Sequence, residues 1–200
     1  MNNIYVRCTR VLFGILGLLS ILLEIIALNN EVVFNAANFF SFFTILSNLF
    51  AATYLIYFGL SNNNSYRSQV VRGAITLYML MTGVIFALLL SGLKDIRLTA
   101  VPWDNFILHY MMPIVVVCDW LLNPPKHSLP RKVVILWMIF PVTYVAYTLV
   151  RGNVVGWYPY PFLNPLTSSY AQVAVMTIGI ALFVTLVAFG LRFYTVVRSK

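Results

Sequence analysis

Six stretches of the chain are apolar almost without interruption, at roughly 8–28, 40–60, 70–92, 105–122, 133–150 and 170–192. Each is close to the ~20 residues that a helix needs to cross the hydrocarbon of a bilayer. Short polar or proline-punctuated connections separate most of them, such as SNNNSYRS at 61–68 and NPPKHSLPRK at 123–132. Connections of that length predict neighbouring helices that run antiparallel. The pattern predicts an all-α membrane protein, a six-transmembrane-helix bundle in which residues 1–200 form a single domain.

Composition points the same way. With 61% of residues hydrophobic and 9% charged, the chain lacks the polar exterior that a water-soluble domain needs. Arg7 and Arg10 precede an apolar run, as basic residues do in a secretory signal. That apolar run continues to Leu28, however, and has no A-x-A-like cleavage site, so it reads as a retained helix.

Charge then sets an orientation. The net charge is +8. Arg7, Arg10, Arg67, Arg72, Lys126, Arg131, Lys132, Arg192, Arg198 and Lys200 fall at the two chain ends and in the connections 2–3 and 4–5. Only Lys94, Arg97 and Arg151 fall on the opposite side. This bias predicts that both termini are cytoplasmic, and that a bacterial protein of this kind sits in the inner membrane. Basic residues dispersed over loop ends fit topology and attraction to anionic lipid, not a nucleic-acid partner. The two cysteines, Cys8 and Cys118, lack the spacing of a metal site and read as packing residues. No metal or organic cofactor is expected.

The longest connection, RGNVVGWYPYPFLNPLTSS at 151–169, carries three prolines, Pro159, Pro161 and Pro165, which break any continuous helix. Its Trp157, Tyr158, Tyr160 and Phe162 have two readings. One is an aromatic belt at the membrane interface. The other is a semi-rigid substrate cap over an opening between helices.

Polar groups inside a span are costly, so each needs a reason. In FFSFFTILSNLF, 39–50, the spacing places Thr44, Ser47 and Asn48 on one helix face, with Ser41 close to the same stripe. Such residues commonly bond their own backbone or join helices. Depth adds weight to a chemical reading. Thr44 lies about 7 Å below the outer surface, Glu24 about 6 Å, and His109 at nearly the same level. Pro113 removes the N–H that would bond the carbonyl of His109, so the helix should bend there. Asn105, one turn above, shares the face of His109. Asp119 lies about 15 Å further along the axis, too far to orient the imidazole. Lys126 or Arg131 is expected to neutralise it, which leaves Glu24, or no carboxylate, to orient the histidine.

FFTILSN in the second span, HYMMP leading to DWLL in the fourth, and WYPYPFL after the fifth resemble a bacterial branch of the androgen-induced protein family. The resemblance extends over nearly the whole chain and includes the number of helices. One departure is that the better-known eukaryotic members carry one more residue between the histidine and the following proline. The resemblance implies an intramembrane threonine hydrolase of fatty acid esters, such as fatty acid esters of hydroxy fatty acids. Thr44 would be its nucleophile and His109 its base. Ser47, Asn48 or Asn105 would serve the oxyanion, and a membrane lipid or fatty acid ester would be the substrate. Two other classes stay open. One is a proton-coupled transporter or channel using Glu24, His109 and Asp119 as a relay. The other is a noncatalytic lipid-binding membrane protein.

Overall fold

The computed structural model describes residues 3–31, 34–61, 65–93 and 99–198. Lys94, Arg97 and Lys200, three of the residues that carry the charge bias, lie outside them. Among the described residues the fold is all helical, and six helices are long and apolar enough to cross a membrane. The described chain divides into two compact units, Met1–Lys126 and His127–Lys200.

The first unit holds four of the six spans. Helix α1 covers Ile4–Glu31, followed by the single turn α2, Ala36–Phe39, and by α3, Phe43–Ser61. Helix α4, Tyr66–Ile85, runs on into a π-helical turn, Phe86–Leu90. The fourth span is composite: α5, Pro102–Phe106, a second π-helical turn, Ile107–Met111, and α6, Met112–Leu122.

Small residues bring α1 and α3 together. A Cβ on Gly14 would fall 2.7 Å from the Ala52 carbonyl oxygen, and one on Gly59 would fall 2.8 Å from that of Arg7. In lipid no hydrophobic force drives helices together, so association depends on such close backbone approach. Arg7 strengthens the contact by donating from Nε to the Gly59 carbonyl (2.8 Å) and from Nη2 to that of Leu60 (2.9 Å). A cation there meets the negative end of the α3 dipole. Ala51, Leu55, Ile75, Met79, Met112 and Val116 fill the space between α3, α4 and α6.

Two buried arginines correct the charge reading. Arg10 and Arg72, counted above among the cations of the loop ends, lie inside the unit on Asp119. Arg10 Nε is 2.8 Å from Oδ1, and Arg72 Nη2 is 3.0 Å from Oδ2. Arg72 also donates to the Asp119 backbone carbonyl. Their guanidinium faces lie over aromatic rings, Arg10 on Phe58 at 4.5 Å and Arg72 on Trp120 at 5.4 Å. Asp119 is therefore neutralised by residues distant in sequence, not by the expected Lys126 or Arg131. Neither Cys8 nor Cys118 is a packing residue, since both are exposed.

The second unit pairs α7, Lys132–Val155, with α8, Tyr170–Arg198. Leu129, just before α7, ties the two at one end. Its N–H donates to Thr195 Oγ1 (3.1 Å), and its carbonyl accepts from Arg192 Nε (2.9 Å). At the other end α7 runs five residues beyond the expected boundary and stops at Gly156, which takes a left-handed φ of 69°. The chain then turns back, and the Tyr158 ring lies flat on Gly152, where an added Cβ would fall 2.1 Å from it. Tyr160 and Phe162 stack at 5.2 Å around a short 3-10 turn, Pro161–Leu163, and Arg151 lies over Trp157.

Candidate active site

The second span does not begin where its hydropathy suggests. The chain turns at residues 40–42, and α3 starts at Phe43. Ser41 lies in that turn and donates from Oγ to the Ala37 carbonyl (2.6 Å), so it leaves the polar stripe. Thr44 becomes the second residue of α3, inside the first turn, where the positive end of the helix dipole is felt.

His109 sits in the middle of the Ile107–Met111 π turn. Pro113 follows four residues later and cannot donate to the His109 carbonyl, which fits the departure from regular α geometry. Gly83 of α4 admits this bend. A Cβ there would come to 3.0 Å from the Pro113 ring. The imidazole stacks on Phe86, with ring centres 4.0 Å apart and planes 25° apart. Phe86 itself begins the π turn that ends the third span.

The two buried side chains meet: His109 Nε2 is 3.2 Å from Thr44 Oγ1. The other ring nitrogen, Nδ1, is 3.2 Å from the Asn105 backbone carbonyl. A carbonyl oxygen only accepts, so Nδ1 carries the proton there and, in the neutral ring, Nε2 presents its lone pair to the threonine hydroxyl. That is the tautomer required to take a proton from Thr44 Oγ. The orienting group is main chain, not the expected carboxylate.

Glu24 is buried nearby, doing something else. Its carboxylate accepts the N–H of Ala100 at Oε1 (2.5 Å) and that of Val101 at Oε2 (3.2 Å). This pins the residues that lead into α5 against α1. The same α5 supplies the Asn105 carbonyl, so the link from Glu24 to His109 runs through a short stretch of backbone. Beside Glu24 lie the fully buried Asp104 and Ser20. Asp104, which the sequence reading passed over, has no geometrically sound hydrogen bond at either oxygen among the described residues.

The expected oxyanion donors behave differently. Asn48 spends its side-chain amide on two carbonyls, Thr44 (2.9 Å) and Leu108 (3.0 Å), and so joins α3 to the π turn. Ser47 Oγ bonds Thr82 Oγ1 (2.8 Å) and donates towards the Thr44 carbonyl (3.1 Å). Both therefore hold the scaffold beneath Thr44. The Asn105 side chain is less committed, with its buried Oδ1 unpartnered among the described residues. Trp157, Tyr158, Tyr160 and Phe162 belong to the second unit, and Tyr158 and Tyr160 are buried.

Phe86, Gly83 and Thr82 were not singled out in the sequence. Each is an ordinary residue of an apolar helix until the fold sets it against His109, Pro113 or Ser47. Among the described residues no cluster of three or more His, Cys, Asp or Glu could hold a metal ion. Family models, curated proteins and solved structures give no match to the chain.

Proposed function

We propose that this protein is an intramembrane hydrolase of fatty acid esters, with Thr44 as nucleophile and His109 as general base. The observation that carries the reading is the Thr44 Oγ1–His109 Nε2 contact of 3.2 Å, with the imidazole held by the Asn105 carbonyl in the accepting tautomer. The sequence resemblance to the androgen-induced protein family supports the same assignment.

In this mechanism His109 Nε2 takes the proton of Thr44 as Oγ attacks the ester carbonyl carbon. Collapse of the tetrahedral intermediate breaks the bond to the alcohol oxygen, which receives that proton from His109. Water then attacks the threonyl ester with His109 again as base, releasing the fatty acid and restoring the hydroxyl. The position of Thr44 at the start of α3 favours negative charge developing beside it. In this reading the side chain of Asn105, turned amide-first, serves as the oxyanion donor. Lipid-facing helices suit a substrate that arrives from within the bilayer. The remaining parts of the proposal are cytoplasmic termini and, in a bacterium, an inner-membrane location. A proton relay ending at Asp119 is less well supported, because that carboxylate is already held between two arginines.

The test is hydrolysis of a panel of medium- and long-chain fatty esters by the purified protein, together with labelling by a fluorophosphonate probe. Thr44→Ala should remove both signals. His109→Ala should lower turnover by roughly 10²–10⁴-fold while leaving slow labelling, since the hydroxyl survives without its base. Variants that remain monodisperse in detergent qualify for comparison. No turnover by the wild type across the panel, with Thr44→Ala altering stability alone, would sink the assignment.

A further inference from the structure

The second unit contains no acidic residue. From His127 to Lys200 the sequence holds Arg131, Lys132, Arg151, Arg192, Arg198 and Lys200 and not one Asp or Glu. Among the described residues, the ion pairs that form are those of Asp119 in the first unit. Arg131, Lys132 and Arg192 converge where α7 begins and α8 nears its end, on an open cleft of about 700 Å³. Its remaining walls are apolar and include Ile135, Phe189 and Phe193, which are 70%, 45% and 63% exposed.

The spacing gives this cleft a polar head and an apolar body. At the start of α7, Ile135 follows the capping residue Arg131 by about one turn. On α8, Phe193 follows Phe189 by one turn and adjoins Arg192. The head is set in advance. Arg192 donates from Nε to the Leu129 carbonyl, and the Leu129 N–H is fixed to Thr195 Oγ1. Among the described residues the terminal nitrogens of Arg192 take no protein acceptor. A guanidinium anchored at Nε still presents that edge to a phosphate, and little conformational freedom is lost on binding.

We infer that this cleft is a binding site for one anionic phospholipid. The headgroup phosphate lies among Arg131, Lys132 and Arg192, and an acyl chain lies along Ile135, Phe189 and Phe193. The unit supplies three cations without a counter-ion at one level, and the lipid supplies the missing negative charge. A soluble anion would satisfy the head and leave the apolar wall uncovered. A zwitterionic lipid would cover the wall but bring its own ammonium to the cations. The inference is independent of any chemistry at Thr44.

The full-length protein in nonionic detergent is titrated with dioleoyl phosphatidylglycerol or dioleoyl phosphatidylcholine, and the retained lipid is read by native mass spectrometry. The anionic lipid should bind at least about tenfold more tightly than its zwitterionic counterpart. Arg131→Gln/Lys132→Gln, both at exposed positions, should erase most of that preference without lowering the unfolding temperature. Lys132→Glu should reduce anionic binding further than loss of one charge does. Arg151→Gln, at the far end of α7, should leave the preference intact. Equal binding of the two lipids, an equal loss in Arg151→Gln, or displacement of the anionic lipid by millimolar inorganic phosphate would each overturn the assignment.

Discussion

At the scale of single residues, the amide of Asn48 shows how the site is held together. It bonds the carbonyl of its own helix turn and that of Leu108 across the interface, both deep in the unit. Asn48→Leu keeps the volume and removes both bonds, leaving the Leu108 carbonyl with a lost partner. The expected cost is about 1–3 kcal/mol of stability, with turnover falling further than the stability loss explains, because the π turn carrying His109 loses its tether. Thermal melts and ester turnover on one preparation check both. Glu24→Gln should behave differently from Glu24→Ala. The glutamine keeps one acceptor oxygen for the Ala100 and Val101 amides and retains part of the activity. The alanine frees the start of α5 and should change the side-chain ¹⁵N signature of His109 as its Nδ1 partner shifts. An unchanged signature in Glu24→Ala would remove Glu24 from the positioning of the base. The polar stripe Thr44, Ser47, Asn48 and the His109–Pro113 spacing were legible in sequence, because i, i+3 and i+4 offsets are fixed by helix geometry. The roles of Asn48, Ser47 and Glu24 were not, since each depends on which carbonyl or amide of another segment arrives beside it.

Among elements, the informative ones are those that depart from a regular helix. Hydropathy registers the length of an apolar run and is blind to whether its backbone bonds close at i+4 or i+5. The spans were therefore legible and their interruptions were not. The break at 40–42 and the π turns at Phe86–Leu90 and Ile107–Met111 fall inside runs that look uniform. Pro113 was the one visible signal of the last. Pro113→Ala restores an N–H where the His109 carbonyl waits and should draw the turn towards α geometry. The expected outcome is unchanged or higher thermal stability together with slower ester turnover; normal turnover would show that the turn does not depend on the proline. Gly152→Ala tests the return segment of the second unit. With Tyr158 where it is, the added methyl has no room, and about 1–3 kcal/mol of destabilisation is expected. Protease susceptibility around 156–163 should rise with it.

On the scale of the whole molecule, charge is sorted more sharply than its total suggests. All five acidic residues precede residue 120, and Asp119 is committed to Arg10 and Arg72. Removing the carboxylate leaves two buried guanidinium groups facing each other, so Asp119→Asn is expected to cost about 3–5 kcal/mol. Activity per folded molecule should change little if the ion pairs brace the helices and take no part in the chemistry. A loss of specific activity in the folded fraction would revive a relay through Asp119. The charge bias along the chain was plain in the sequence, whereas the burial of Arg10 and Arg72 was not, because nothing local marks a cation that will find a partner 109 or 47 residues away. The proposed orientation is checked by reporter fusions after Lys200, in 61–68 and in 151–169, with the first two expected on the cytoplasmic side and the third outside.

The acceptor that steadies His109 is a peptide carbonyl, and this bears on how the site would look to genetics. A side-chain carboxylate in that position can be deleted by one codon change. The carbonyl of Asn105 survives every substitution at its own position that leaves the helix intact. A saturation scan scored for activity would therefore return two indispensable positions, Thr44 and His109, and would describe a dyad. The third member would surface only through changes that move the main chain, such as a proline placed within α5, or through an ester bond substituted for the peptide link that bears the carbonyl.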